Sequence, residues 1–215
     1  MGVRDSRTAI VTGASSGIGR AIALRFAKEG AVVALADIDE NPKEGGETTL
    51  ELIKSAGGVA FFQQTDVSAW EDIDRLVHRL VEQHGELDIM VNNAAIYVSK
   101  PLLETTEDEW NRVMAVNLTG MFFGCKRAAQ QMLTQEPRND VRGRLINITS
   151  QHGMISAPND FAYGVSKAGG VYMTRQIAAD YAKDLIVCNA VAPGKILTGK
   201  PRSEERRVGK ECRSR

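Results

Sequence analysis

Tyr163 and Lys167 stand four positions apart in the stretch AYGVSK, Ala162 to Lys167. On a helix that spacing puts a phenol and an ammonium one turn apart on the same face. A tyrosine with a pKa of about 10 is a poor base at neutral pH, and a neighbouring cation favours its phenolate and makes it a proton acceptor. The same spacing also describes a half-exposed helix face with no chemistry. A second stretch, TGASSGIGR from Thr12 to Arg20, offers a different function. Gly13, Gly17 and Gly19 would let the chain turn tightly, approach a pyrophosphate and pack a helix on a strand, with Ser15, Ser16 and Ile18 between them. The helix amino end would then face the phosphate charge. A glycine trio also fits a plain strand-to-helix turn, a methyltransferase loop or another phosphate loop, and the missing G-K-[ST] argues against an NTPase.

These residues need elements to hold them. Thr8–Thr12, Ala31–Ala36, Val59–Thr65, Leu87–Val91, Arg144–Thr149 and Leu185–Val191 all read as buried strands, separated by segments of helical period. Ser68 with Glu71 and Thr106 with Glu109 have the spacing of capping boxes. A long helix is expected from about Thr106 to Thr134, then a surface loop over QEPRNDVRG. Strands alternating with helices predict an α/β fold, a doubly wound parallel sheet of Rossmann-like form. Ligands of such a sheet bind at the carboxyl ends of its strands. Polar or special residues cluster there: Asp37, Asp66 with Val67, Asn92 to Ala95 including Asn93 and Ala94, Thr149 with Ser150, and Ala192 to Gly194. Asp37 follows Gly19 by 18 residues, where a carboxylate would accept hydrogen bonds from an adenosine ribose.

The 215 residues suit one domain, with 43% apolar and 25% charged side chains. Basic and acidic residues balance at 27 each, so no overall field draws the chain to nucleic acid or an anionic membrane. Cys125, Cys188 and Cys212 form no C-x-x-C pair, which fits a reducing, cytoplasmic setting. No run approaches the length of a membrane span. His78 and His84 have no ligand-spaced partners, so no metal is expected. His152 reads equally as a pocket residue or a surface one, and Trp70 and Trp110 as packing residues.

The motifs in this order resemble the short-chain dehydrogenase/reductase family, in the subgroup with a T-G-x-x-x-G-I-G loop. The resemblance runs from Thr8 to about Lys200. It implies a catalytic set of Asn117, Ser150, Tyr163 and Lys167. Tyr163 would exchange a proton with a substrate hydroxyl, Ser150 would hydrogen-bond the substrate oxygen, Lys167 would hold the nicotinamide ribose and Asn117 would position a water. It also implies that Pro193, Gly194 and Thr198 hold the nicotinamide carboxamide. Ala95 stands where glycine is commoner. The expected reaction is hydride transfer between a nicotinamide cofactor, NAD by the reading of Asp37, and a small secondary alcohol or ketone, in a homo-oligomer. An NADP-linked 3-oxoacyl-thioester reductase, or a nucleotide-binding chain without turnover, remains open. RSEERRVGKECRSR, Arg202 to Arg215, carries six basic and three acidic residues with no apolar period. It resembles the translation of a sequencing-library adapter, which sets the domain at 1–201 with 202–215 a non-native tail. On that reading the family's final strand is missing and the activity of the chain as written is doubtful.

Overall fold

The computed structural model describes residues 7–196; Thr198 and the segment 202–215 lie outside the described residues. Six strands form one parallel sheet: β1 (Thr8–Thr12), β2 (Val32–Asp37), β3 (Ala60–Gln64), β4 (Ile89–Asn92), β5 (Gly143–Ile148) and β6 (Ile186–Val191). Their order is β3-β2-β1-β4-β5-β6, so the direction of winding reverses between β1 and β4. That reversal opens a crevice at the carboxyl edge, where a ligand can reach the loops of both halves. The sheet is the doubly wound α/β form expected from the alternation of apolar runs and helical segments.

Both faces are covered. Helices α1 (Gly17–Lys28) and α2 (Thr49–Ser55) bury Ala23, Ala27 and Ile53 against Val11, Val33, Leu35 and Val91. Three further helices, α3 (Trp70–His84), α5 (Gly120–Met132) and α6 (Phe161–Tyr181), lie on the opposite face. There Leu76, Leu80, Cys125 and Met132 meet Ile10, Met90, Leu145 and Ile186. A polar ladder crosses that face beneath the site. Asn92 Nδ2 donates to Asn147 Oδ1 at 2.9 Å, and Asn147 Nδ2 donates to Thr174 Oγ1 at 2.9 Å, joining β4, β5 and α6. Each buried amide has partners, so the ladder fixes α6 on the sheet without an unsatisfied polar group.

Five details depart from the sequence reading. Strands β3 and β6 are half-buried rather than buried: β3 is partly exposed throughout, and Val187 and Val191 of β6 are exposed. Both lie at the sheet edges among the described residues, where one face has less cover. Ser68 and Glu71 do not form a capping box. The residue before α3 is Ala69, and Ser68 turns back to donate from N and Oγ to Asp66 Oδ1. A carboxylate two residues upstream outcompetes the helix for the hydroxyl. The box of Thr106 and Glu109 does form, and Thr48 with Glu51 makes another that the sequence reading missed. The long helix is divided into α4 (Glu107–Met114), a π-helical turn (Ala115–Thr119) and α5. Finally, Gln135 opens the surface loop yet is buried, its amide bridging Leu87 N at 2.8 Å and Leu87 O at 3.1 Å.

Candidate active site

The glycine-rich loop leaves β1 at the sheet's carboxyl edge. Gly13 and Gly17 have φ of 65° and 55°, a left-handed backbone that a side chain would disfavour. Gly19 serves a different purpose: a Cβ there would collide with the carbonyl of Gly13, so its absence lets α1 close on the loop. Asn93 locks the arrangement from the far side of the crevice. Its Nδ2 donates to Thr12 O at 2.9 Å and Gly13 O at 3.1 Å, while the amides of Asn93 and Ala94 donate to Thr12 Oγ1.

Asp37 ends β2 beside this loop, its two oxygens accepting from Ser15 N at 3.1 Å and Ile38 N at 2.9 Å. Ser15 Oγ donates to Asp39 O, and Ser16 Oγ accepts from Lys43 N. The amino end of α1 already attracts an anion: Gly17 N donates to Glu44 Oε1 at 3.1 Å. Burial pushes the Glu44 carboxyl up, but the Gly17 amide, the Ser16 hydroxyl and the charge of Arg20 together hold it below its ordinary value. A carboxylate thus sits at the positive end of the α1 dipole. Asp66 is exposed and Val67 buried, the latter packed against Gly120.

The candidate catalytic residues meet at the end of β5. Ser150 directly precedes a 3-10 turn (Gln151–Gly153) and is buried. Its hydroxyl hydrogen-bonds the Tyr163 phenol on α6. Burial pushes the Tyr163 hydroxyl up, the Ser150 hydrogen bond pulls it down and the charge of Asp160 pushes it up, with a net rise above the ordinary value. Burial is the largest of these influences on the phenol. Lys167 lies one turn further along α6, only 2% exposed, with Nζ 5.7 Å from the Tyr163 ring centre. Nζ donates to Ile148 O at 2.9 Å, and burial pulls its pKa from 10.5 to about 8.

Asn117 sits within the π-helical turn, 1% exposed. Its Oδ1 accepts from Ile96 N at 2.8 Å, and its Nδ2 donates to Ile96 O and to Ser166 Oγ. The widened turn brings this amide to the loop after β4 and to α6 at once, a placement a regular helix would not give. Pro193 O accepts from Gln151 N at 3.1 Å, which holds the chain after β6 beside Ser150, with Gly194 next to it. Of the cofactor-loop residues only Thr198 lies outside the described residues.

Three residues here were not singled out by the sequence reading, or were left undecided by it. His152 faces Tyr163 edge-on and pairs through Nδ1 with Asp160. Tyr97 faces Tyr163 from the opposite segment. Asp160 precedes α6 where an ordinary helix cap would be read, and Tyr97 carries no motif, so only their convergence marks them. Beside them Pro101, Leu102, Met154, Ile155, Phe161 and Val165 line an open, mostly apolar groove of about 500 Å³. Among the described residues no helix is long and apolar enough to cross a membrane, and no His, Cys, Asp and Glu group is arranged to hold a metal.

A glycine loop, a crevice at the switch point and a tyrosine–lysine–serine cluster beside it define a nucleotide-dependent oxidoreductase site. The family model described as short chain dehydrogenase matches residues 7–208. Glucose 1-dehydrogenase 2 of Bacillus subtilis is 42% identical over 193 residues, 89% of this chain and 72% of that protein. The 3beta-hydroxysteroid dehydrogenase 1 of Eggerthella lenta is 41% identical over 209 residues, 97% of this chain and 77% of that protein. A crystal structure of a short chain dehydrogenase/reductase from Burkholderia phymatum, in complex with NAD, superposes with a TM-score of 0.82 at 28% identity, over 93% of this chain and 69% of that one. The chain belongs to the short-chain dehydrogenase/reductase family. It is an oxidoreductase that moves a hydride between a nicotinamide cofactor and a small secondary alcohol or ketone.

Proposed function

We propose that the chain uses NAD(H) rather than NADP(H), with Tyr163 as the acid/base, Ser150 and Lys167 as its partners and Asn117 as the residue that positions a water for proton exchange. The meeting of Ser150, Tyr163 and Lys167 at the end of β5, across the crevice from the glycine loop, is the observation that carries this reading. Gly13, Ser15, Ser16, Gly17, Ile18, Gly19, Asp37, Asp66, Val67, Asn93 and Ala94 would hold the nucleotide half of the cofactor. Pro193, Gly194 and Thr198 would hold the nicotinamide half, which gives or accepts the hydride when bound.

The chemistry follows from the site's own groups. Tyr163 Oη carries its proton at neutral pH, so the resting site is set to donate to a substrate oxygen, as ketone reduction requires. Ser150 Oγ, already bonded to that phenol, donates to the same oxygen as charge develops on it. Lys167, still largely an ammonium at pH 7, offers a positive charge beside the ring and lowers the cost of the phenolate formed. In alcohol oxidation the phenolate takes the proton from the substrate hydroxyl. The apolar groove beside His152 suits a substrate with a sizeable apolar body.

NAD preference is supported by charge. A 2′-phosphate would face Asp37, and the Glu44 carboxylate, bonded to the loop at Gly17 N, already draws on the charge of Arg20. A homo-oligomer is supported by Phe122, Val165 and Tyr172, apolar side chains exposed on α5 and α6. Cytoplasmic residence is in keeping with Cys125 and Cys188, neighbouring core thiols carried free. The test is a panel of secondary alcohols and ketones assayed with NAD(H) and NADP(H) in parallel. Turnover with NAD(H) supports the reading; binding of NADH with no turnover on any member refutes the catalytic assignment.

A further inference from the structure

Asp160 occupies the residue before α6, where an aspartate ordinarily accepts from the amides of the first turn. It makes no such bond. Forgoing a cap costs about 1 kcal/mol, so the carboxylate is directed by something other than the helix. It is 6% exposed, a position in which an unpaired charge would be strongly unfavourable. Each oxygen has its own partner instead. Oδ1 accepts from Tyr97 OH at 2.5 Å, and Oδ2 meets His152 Nδ1.

Both partners lean on the same ring. Tyr97 meets Tyr163 edge-on, with centroids 5.2 Å apart and planes at 81°. His152 meets it edge-on from the 3-10 turn, at 6.4 Å and 89°. The backbone reinforces this, because Lys100 forms a parallel bridge with Asp160 and so ties the loop after β4 to the start of α6. Three segments distant in sequence therefore converge on Tyr163 through one carboxylate.

We infer that Asp160 is a positioning residue that braces Tyr163 through Tyr97 and His152 and opposes its ionisation with its own negative charge. The inference rests on the proposed acid/base role of Tyr163 for its functional meaning, but not for its test. The groups that face Tyr163 are Lys167 on α6, the Ser150 hydroxyl after β5, His152 on the 3-10 turn, Tyr97 after β4 and Asp160 itself. Lys167 favours the phenolate; Asp160 disfavours it and adds to the effect of burial. Removing the Asp160 charge while keeping its shape shifts that balance toward phenolate. A brace without charge would leave the ionisation where it is.

Ultraviolet titration of tyrosinate reads this directly, without substrate or cofactor. The chain has four tyrosines, so the signal of Tyr163 is obtained by subtracting the Tyr163→Phe protein from its parent, in both the wild-type and Asp160→Asn backgrounds. The Tyr163 midpoint is expected to fall by about one pH unit in Asp160→Asn and to return to the wild-type position in Asp160→Glu. An unchanged or higher midpoint in folded Asp160→Asn overturns the inference. Should Asp160→Asn fail to fold by near-ultraviolet circular dichroism, Tyr97→Phe carries the test. It removes a donor but keeps the charge, so the midpoint is expected to stay or rise, and a fall overturns the inference. Retained turnover in Tyr163→Phe alone would sink the proposed catalytic role while leaving the titration result to stand.

Discussion

Lys167 donates from Nζ to the carbonyl oxygen of Ile148, 2.9 Å away at the last residue of β5. A charged side chain that is 2% exposed is held by one backbone acceptor, and burial brings its pKa to about 8. The site keeps its cation at a cost to the fold, since nothing in the sheet's stability calls for an ammonium there.

That cost is measurable. The folded pKa of about 8 lies below the value of 10.5 in the unfolded chain, so between those limits the unfolded state binds more protons and stability rises with pH. Below about pH 8 the buried charge costs on the order of 3 kcal/mol, part of which the Ile148 hydrogen bond offsets. Lys167→Met is expected to unfold at higher denaturant concentration than wild type at pH 7, with the advantage fading toward pH 10.5, and to lose turnover. Urea titrations at a series of pH values check this; a variant less stable at pH 7 contradicts it.

Tyr163→Phe removes the proton and keeps the ring between Tyr97 and His152. Turnover is expected to fall about 100- to 10,000-fold, with NADH affinity nearly unchanged by fluorescence titration. Activity within threefold of the parent rules out the acid/base role.

Asp37 is expected to set the choice of cofactor. Asp37→Ser removes acceptors for two ribose hydroxyls, and charged hydrogen bonds of this kind are worth about 1.5–3 kcal/mol. NADH affinity should drop tenfold or more while NADPH affinity holds or improves. Equal affinity of the wild-type chain for the two cofactors would contradict the charge argument.

Glu44 is expected to compete with nucleotide. Glu44→Gln weakens the acceptor on Gly17 N and leaves the loop intact, so calorimetry should show tighter binding of both NADH and NADPH. Weaker binding of both would assign Glu44 to the cofactor's support instead.

Gly19→Ala places a methyl group against the backbone of Gly13, which cannot yield as a flexible side chain would. A loss of about 1–3 kcal/mol in stability together with lost NADH binding is expected in thermal melts and titrations. A melt unchanged from the parent would mean that the loop has room that its geometry denies.

The sequence by itself determined the frame: six apolar runs alternating with helical segments, a glycine loop after the first, and polar residues at each strand end. Those features are local, because a strand's period, a turn's need for glycine and a helix's spacing act between near neighbours. It therefore yielded the strands to within a residue or two and placed Tyr163 and Lys167 on one helix face. It misjudged matters decided at a distance. The Ser68 box failed because Asp66 holds the hydroxyl, and the helix through Asn117 widened into a π turn as that amide reached Ile96 and Ser166. Only the tertiary structure decided that burial and the Asp160 charge would raise the Tyr163 hydroxyl, that Glu44 would reach Gly17, and that Asp160 would leave its own helix to hold Tyr97 and His152. The Asp160 contacts bring together residues 8 and 63 positions away from it in a buried spot, where charge and desolvation count for more than in the open chain.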